Sequence, residues 1–183
     1  MNATPTARYN RTAIALHWLI ALALAAIFGL GLYMHELPLS PAKLKLYSWH
    51  KWAGVTVFVL VAIRLGWRLA HPAPALPATM PAPLRLAAGA AHGLLYLLMF
   101  SIPLSGWLMS SAKGFQTVWF GVLPLPDLVG KDAALGDALQ GLHFALNMLL
   151  AAIVAGHAGA ALKHHFLDRD DVLTRMLPGA GKA

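Results

Sequence analysis

The segment that decides the fold is residues 139–162, LQGLHFALNMLLAAIVAGHAGAAL, an apolar stretch that carries two histidines fourteen residues apart. An α-helix turns by about 100° per residue, so fourteen residues fall only about 40° short of four full turns. His143 and His157 are therefore predicted to lie on one face of one helix, about 21 Å apart along its axis. Because a polar side chain facing lipid is costly, intramembrane histidines usually face the bundle interior and have a function. Two on one face indicate two sites at different depths.

The composition is that of a membrane protein. Of the 183 residues, 58% are hydrophobic and 11% are charged, whereas soluble domains carry about 25% charged residues. The chain contains no cysteine, which excludes disulfides, thiolate-bound iron–sulfur clusters, cysteine-rich zinc sites and thioether-attached haem. The net charge of +7 fits basic residues at membrane edges and attraction to anionic membrane lipid, and we expect no nucleic-acid partner.

Four apolar stretches, each near the length that spans a bilayer, predict four transmembrane helices. Proline- and glycine-rich segments separate them. We therefore predict an all-α fold, a transmembrane up-down four-helix bundle that forms a single integral membrane domain over residues 1–183. Residues 115–125, FQTVWFGVLPL, predict either an interfacial helix that caps the bundle or a plain interfacial loop. The predicted spans are residues 13–34, 49–69, 86–109 and 139–162.

The basic residues predict the orientation of the bundle. If the N-terminus lies inside, nine basic residues fall on the inner side and five on the outer side, and every arginine is inner. Because basic residues favour the cytoplasmic side, both termini are predicted to be cytoplasmic. The inner set is Arg8, Arg11, Arg64, Arg68, Arg85, Lys163, Arg169, Arg175 and Lys182, and the outer set is Lys43, Lys45, Lys51, Lys113 and Lys131.

The helix directions pair four histidines by depth. The first span runs outward, so its early histidine, His17, lies near the inner side. The second and fourth spans run inward, which places His50 and His143 near the outer side and His157 near the inner side. The sequence therefore predicts two pairs, His17 with His157 and His50 with His143.

Paired histidines at two depths favour haem over other metal cofactors. Zinc prefers three or four protein ligands in a tetrahedron. A di-iron carboxylate site needs inward glutamates, whereas Glu36 is the only glutamate of the chain. Haem iron already has four porphyrin nitrogens and accepts two axial imidazoles. We therefore expect two haem b cofactors, with His17 and His157 on the inner iron and His50 and His143 on the outer iron. Histidines that hydrogen-bond at helix contacts are the alternative.

The other histidines are predicted to serve other roles. His92 is expected to make a structural hydrogen bond, and His35 is a shallower alternative ligand for the outer site. His71 is expected in a solvated loop. His164 and His165 lie at the inner interface. They are either interfacial side chains or possible catalytic groups at a quinone site, since histidine exchanges protons near neutral pH.

Two weaker patterns have competing interpretations. Gly54 lies one helical turn after His50, and Gly156 adjoins His157. These glycines either make room for a flat macrocycle or serve helix packing. Lys43, Lys45 and Lys51 lie on the predicted outer side, where they either attract a small anion or keep a loop soluble.

Three motifs resemble the bacterial cytochrome b561 family: Leu16-His17-Trp18-Leu19, Trp49-His50-Lys51-Trp52-Ala53-Gly54, and His157 with His164-His165-Phe166, Leu173, Leu177 and Pro178. The resemblance covers about residues 8–178. It implies a four-helix, di-haem b protein of the bacterial inner membrane with the same four histidine ligands. It also implies an oxidoreductase that takes electrons from superoxide or another periplasmic reductant and reduces ubiquinone.

Two other functions fit similar helices. The first is a haem-b membrane anchor subunit that relays electrons for a partner dehydrogenase or hydrogenase. The second is a haem-free transport or structural bundle. A purified protein that reduces quinone unaided would argue against the first, and a type-b visible spectrum would exclude the second.

Overall fold

Four long helices make up most of the computed structural model, which describes residues 8–77 and 80–179. All four are long and apolar enough to cross a membrane, which confirms the predicted all-α transmembrane bundle. Their bounds are α1, Arg11–Glu36; α2, Pro41–Ala70; α3, Ala82–Ala112; and α4, Ala133–Lys163.

Polar caps start three of the helices earlier than hydropathy predicts. The side chain of Asn10 accepts a hydrogen bond from Ala13 N, and the Ser40 side chain accepts one from Lys43 N just before Pro41. The side chain of Asp132 does the same for α4. Such caps satisfy amide groups that the first turn leaves unpaired. The helices α2 and α4 begin before the predicted apolar spans, at Pro41 and Ala133, because their first turns lie outside the apolar stretch.

The helices pack as neighbours in chain order, and α4 stands apart from the first two. Close backbone contacts are numerous between α3 and α4, α1 and α2, and α2 and α3, whereas α4 has few with α1 or α2. A cluster of buried apolar side chains fills the middle of the bundle, including Ile20, Val57, Val61, Leu98 and Leu150. Across the space between α4 and the first two helices, the histidines of α4 face those of α1 and α2.

A small β-hairpin covers one end of the bundle, where the sequence predicted an interfacial helix or a plain loop. Its strands, β1 (Val118–Trp119) and β2 (Leu123–Pro124), pair antiparallel. The turn uses positive φ angles at Phe120 (51°) and Gly121 (73°). Trp52 Nε1 donates to the Val118 carbonyl at 2.6 Å, and Trp119 Nε1 donates to Thr56 Oγ1 at 3.3 Å. The hairpin is therefore fastened to α2; we call this the outer end.

The C-terminal segment crosses the opposite end, which we call the inner end. After α4 the chain makes a π-helical turn, His164–Asp168, and reverses at Arg169 with φ 53°. Trp18 Nε1 then donates to the Met176 carbonyl at 2.8 Å, and Arg8 Nη2 donates to the Leu177 carbonyl at 2.7 Å. The first and last described segments thus lie at the same end.

Candidate functional site

Two pairs of histidine rings face each other across the bundle. The ring centres of His17 and His157 are 6.3 Å apart with an interplanar angle of 71°, and those of His50 and His143 are 6.3 Å apart at 73°. All four residues are half-buried. The structure thus brings together the same residues that depth arguments paired, each pair joining α4 to α1 or α2.

The spacing within each pair fits one metal ion shared by two imidazoles. A metal–nitrogen bond of about 2.0 Å and a distance of about 1.1 Å from nitrogen to ring centre place the two centres roughly 6.2 Å apart. A direct N–H···N hydrogen bond of about 2.9 Å would bring them to roughly 5.1 Å. The observed 6.3 Å in both pairs therefore fits bis-imidazole ligation better than direct hydrogen bonding.

The ring of His143 is oriented by two partners on α3. Its Nδ1 lies 3.1 Å from the Ile102 carbonyl and 3.0 Å from Ser105 Oγ. Ser105 Oγ itself donates to the Ile102 carbonyl at 2.8 Å, so the hydroxyl hydrogen is used there. We therefore assign the proton of His143 to Nδ1, which leaves the Nε2 lone pair for a metal.

Two glycines make room for the outer pair. A Cβ atom on Gly31 would lie 3.2 Å from His50 Cε1, and one on Gly106 would lie 3.1 Å from His143 Cε1. Both distances are tighter than ordinary van der Waals contact, so a larger residue would press on the ring. Sequence reasoning selected Gly54 instead, yet a Cβ there would only touch Ile27 at 3.8 Å.

The inner pair has a third histidine beside it. The ring centre of His92 is 5.2 Å from that of His157, and its Nδ1 lies 2.8 Å from the Ala88 carbonyl one turn earlier on α3. His92 therefore makes the backbone hydrogen bond that the sequence suggested, and it also packs on a predicted ligand.

Two other histidines lie away from both pairs. His35 is exposed near the end of α1. His71 is exposed after α2, where its ring stacks on Trp67 with the centres 4.0 Å apart. These positions agree with the expectation that His71 is solvated and that His35 is too shallow for a ligand.

The first residue of the π-helical turn is held by a carboxylate. His164 Nδ1 lies 2.6 Å from Asp170 Oδ2, and Asp170 Oδ1 accepts a hydrogen bond from Val172 N at 3.0 Å. The His164 side chain is only 18% exposed, whereas His165 packs its ring on Phe166. The two adjacent histidines thus have different surroundings, and only His164 is oriented by an acidic partner.

Two of the outer lysines, Lys45 and Lys51, contact neutral groups. Lys51 Nζ donates to Ser110 Oγ at 3.2 Å and to the carbonyls of Phe115 and Gln116 at 3.3 and 3.2 Å. Lys45 Nζ lies 5.1 Å from the centre of the Trp49 ring. Lys51 therefore fastens the outer loop, a structural role that the sequence did not reveal.

The geometry defines a multi-pass membrane protein with paired histidines at two levels of a four-helix bundle. The family model described as prokaryotic cytochrome b561 matches residues 8–179. This chain belongs to that family, the membrane cytochromes that bind haem b and transfer electrons. The resemblance seen in the sequence motifs is thereby confirmed.

Curated relatives cover nearly the whole chain. Cytochrome b561 homolog 2 of Escherichia coli K12 is 39% identical over 172 residues, which are 93% of this chain and 91% of that protein. Cytochrome b561 homolog 1 of the same organism is 29% identical, over 93% of this chain and 97% of that protein. A Yersinia pestis protein described as a probable superoxide oxidase, CybB, is 27% identical over 93% and 96%.

Proposed function

We propose that this protein transfers electrons across a bacterial inner membrane through two b-type haems, from a reductant at the outer end to ubiquinone at the inner end. His50 and His143 hold the outer haem, and His17 and His157 hold the inner one. The observation that carries the proposal is the equal 6.3 Å spacing of both ring pairs. When bound, haem iron supplies the one-electron chemistry.

The protein contributes ligation, orientation and depth. Both α4 ligands lie on one face of one rigid helix, about 21 Å apart along its axis. They therefore set two sites near opposite sides of a hydrocarbon core about 30 Å thick. At the outer site, Ser105 and Gly106 on α3 fix the imidazole of His143.

Superoxide is the proposed reductant at the outer end, with another small periplasmic reductant as the broader class. The name of the Yersinia pestis relative supports this choice. The positive charges of Lys43, Lys45 and Lys51 also support it, because a cluster of cations raises the rate at which a small anion arrives.

Ubiquinone is proposed to bind at the inner end beside His164. Quinone reduction consumes protons, and a general acid must lie within hydrogen-bond reach of the oxygen it protonates. His164 is part of the inner end, and Asp170 holds its Nδ1 at 2.6 Å, so Nε2 is the nitrogen that would face a substrate. His165 is the second candidate because it is adjacent and half-buried.

The proposed orientation places both termini in the cytoplasm. Among the described residues, eight basic side chains lie toward the inner end and five toward the outer end, which is the asymmetry expected for an inner cytoplasmic side.

The test is to purify the protein alone, record its visible and pyridine-haemochrome spectra, and supply superoxide and ubiquinone. We expect two haem b per chain and quinone reduction without a partner subunit. Haem reduction without quinone turnover would favour the membrane-anchor alternative, and a protein without haem would reject the proposal.

His164→Ala should slow quinone reduction while both haem spectra persist. Unchanged turnover in both His164→Ala and His165→Ala would exclude this quinone site.

A further inference from the structure

Two arginines on the inner half of α2 point into the bundle. Arg64 and Arg68 are one helical turn apart, and both are half-buried. Arg64 follows His50 by fourteen residues, so it lies on the same inward face of α2 at the other depth. It is close enough to interact electrostatically with His17 and His157. The charge of Arg64 therefore lies near the inner histidine pair, and that of Arg68 lies one helical turn further along α2.

No acidic side chain pairs with these arginines in the part of the chain that the structure describes. A half-buried cation at membrane depth is costly unless an anion or suitably placed oxygens compensate it. Arg64 is only partly compensated, since Nη1 donates to the Ala13 carbonyl at 2.8 Å. The carboxylates nearest the inner end have other cationic neighbours, namely Lys163 for Asp168, His164 for Asp170 and Arg175 for Asp171.

A buried hydroxyl without a hydrogen-bond partner lies beside the two arginines. The Tyr96 hydroxyl has no such partner among the described residues, and the guanidinium carbon of Arg68 is 6.0 Å from the Tyr96 ring centre. Tyr96, Arg64 and Arg68 line one small cavity between α1, α2 and α3. Guanidinium groups can only donate hydrogen bonds and a phenol can donate one, so the group that this lining lacks is an acceptor with negative charge.

We propose that Arg64, Arg68 and Tyr96 form a binding site for the carboxylate groups on the edge of the haem held by His17 and His157. The inference rests on the inner haem of the proposed function. A guanidinium binds a carboxylate through two parallel hydrogen bonds, and the phenol supplies a further donor. The anionic oxygens of a lipid headgroup have the same chemistry, and they are the competing source that the experiment must separate.

The site should affect the inner haem and leave the outer haem unchanged. Positive charge near an iron stabilises its reduced form, which carries one positive charge fewer, and thereby raises the reduction potential. Replacing one arginine by a neutral residue should therefore lower the inner potential. We expect the ratio of reduced to oxidised inner haem at a fixed ambient potential to fall about tenfold, which is 59 mV for one electron.

The experiment compares Arg64→Gln, Arg68→Gln and Tyr96→Phe in the full-length, haem-loaded protein by redox titration. Arg85→Gln is the matched control, because Arg85 is also inner but is exposed on α3. Each variant is also reconstituted with haem whose carboxylates are methyl esters, and is measured both in neutral-lipid vesicles and in vesicles containing phosphatidylglycerol. We expect the inner potential to fall in the three variants with native haem in neutral vesicles. With the esterified haem we expect a smaller fall in each variant, because the esters no longer accept the charge-assisted hydrogen bonds that hold these side chains at the haem edge.

Other outcomes distinguish a lipid site, a wrong haem-binding site and a wrong proposed function. An effect that persists with esterified haem and requires phosphatidylglycerol would assign the site to lipid and overturn the proposal. An unchanged inner potential in a protein with two haems would also overturn it, while absence of the inner haem from the wild-type protein would reject the proposed function itself. If Arg64→Gln does not fold, the proposal is tested by Tyr96→Phe, which removes only one hydroxyl group. An unchanged potential of the inner haem in that variant would likewise reject the site.

Discussion

The outer and inner histidine pairs have the same spacing, yet the protein surrounds them differently. At the outer pair, glycines lie against the rings, and a hydroxyl and a carbonyl orient His143. At the inner pair, a third histidine packs on His157, and Arg64 lies within electrostatic range. Packing and hydrogen bonds therefore define the surroundings of the outer pair, whereas a neighbouring positive charge and a third histidine distinguish the inner pair. Equal ligand geometry can thus give two sites with different electrostatic surroundings.

The largest expected effect is loss of one haem when a ligand is removed. His17→Ala or His157→Ala should remove the inner haem, and His50→Ala or His143→Ala should remove the outer haem. Haem content should fall from two to about one per chain, because each iron loses an axial ligand. Pyridine-haemochrome assays and spectra measure this directly, with His71→Ala as the control at an exposed position.

Loss of both haems in every single variant would remove the support for independent pairs, since a general folding defect would then explain the result. Iron bound to the ring of His35 or of His92 would show that the pairing is wrong.

A smaller effect is expected from filling the outer glycine positions. Gly106→Ala and Gly31→Ala would place a Cβ 3.1 and 3.2 Å from the imidazole carbons of His143 and His50. We expect a weaker or shifted outer-haem spectrum, with a stability cost of about 1–3 kcal/mol if the ring cannot move.

Gly29→Ala is the matched control for Gly31→Ala, because a Cβ there has nothing within 4 Å. It should leave both spectra unchanged and stabilise α1 by roughly 0.5–1 kcal/mol, since alanine is the better helix former. Equal spectral changes in Gly29→Ala and Gly31→Ala would contradict the packing account of the outer pair.

The inner end should show a kinetic effect without a spectral one. Asp170→Asn removes the charged partner that lies 2.6 Å from His164 Nδ1, so quinone reduction should slow about tenfold, as is common for residues that orient a functional group. The control is Asp168→Asn, because Asp168 lies further from the same nitrogen, at 3.3 Å, and also pairs with Lys163. Similar rates in the two variants would indicate that Asp170 has no special role in quinone turnover.

The smallest effect concerns the charge at the outer end. Lys45→Gln should lower the rate of haem reduction by superoxide a few-fold at low salt, with a smaller difference near 0.15 M, where the Debye length is about 8 Å. Stopped-flow measurements over a salt series test this, with Arg85→Gln as the same charge change at the inner end. Lys45 is preferable to Lys51 because Lys51 also fastens the outer loop. Salt-independent, equal rates would favour a protein electron donor over steering of a small anion.

The sequence predicted the helices better than the connections between them. Long apolar runs predicted all four helices, but α2 begins at Pro41 and not near Trp49, because caps and polar first turns have no hydropathy signal. The segment 115–125 is as apolar as an interfacial helix, yet it forms a hairpin whose backbone oxygen receives a hydrogen bond from Trp52. That choice depends on a partner far away in the sequence.

The sequence by itself determined the number of membrane-crossing helices, their up-down order and the shared depth of each histidine pair, because the length of apolar runs and the helical repeat are local properties of the chain. Only the tertiary structure decided which small residues touch the rings and which α3 groups orient His143. It also brought Arg64, Arg68 and Tyr96 into one cavity without a carboxylate. Such arrangements depend on the rotation and spacing of helices against each other, which the side chains of several helices set together.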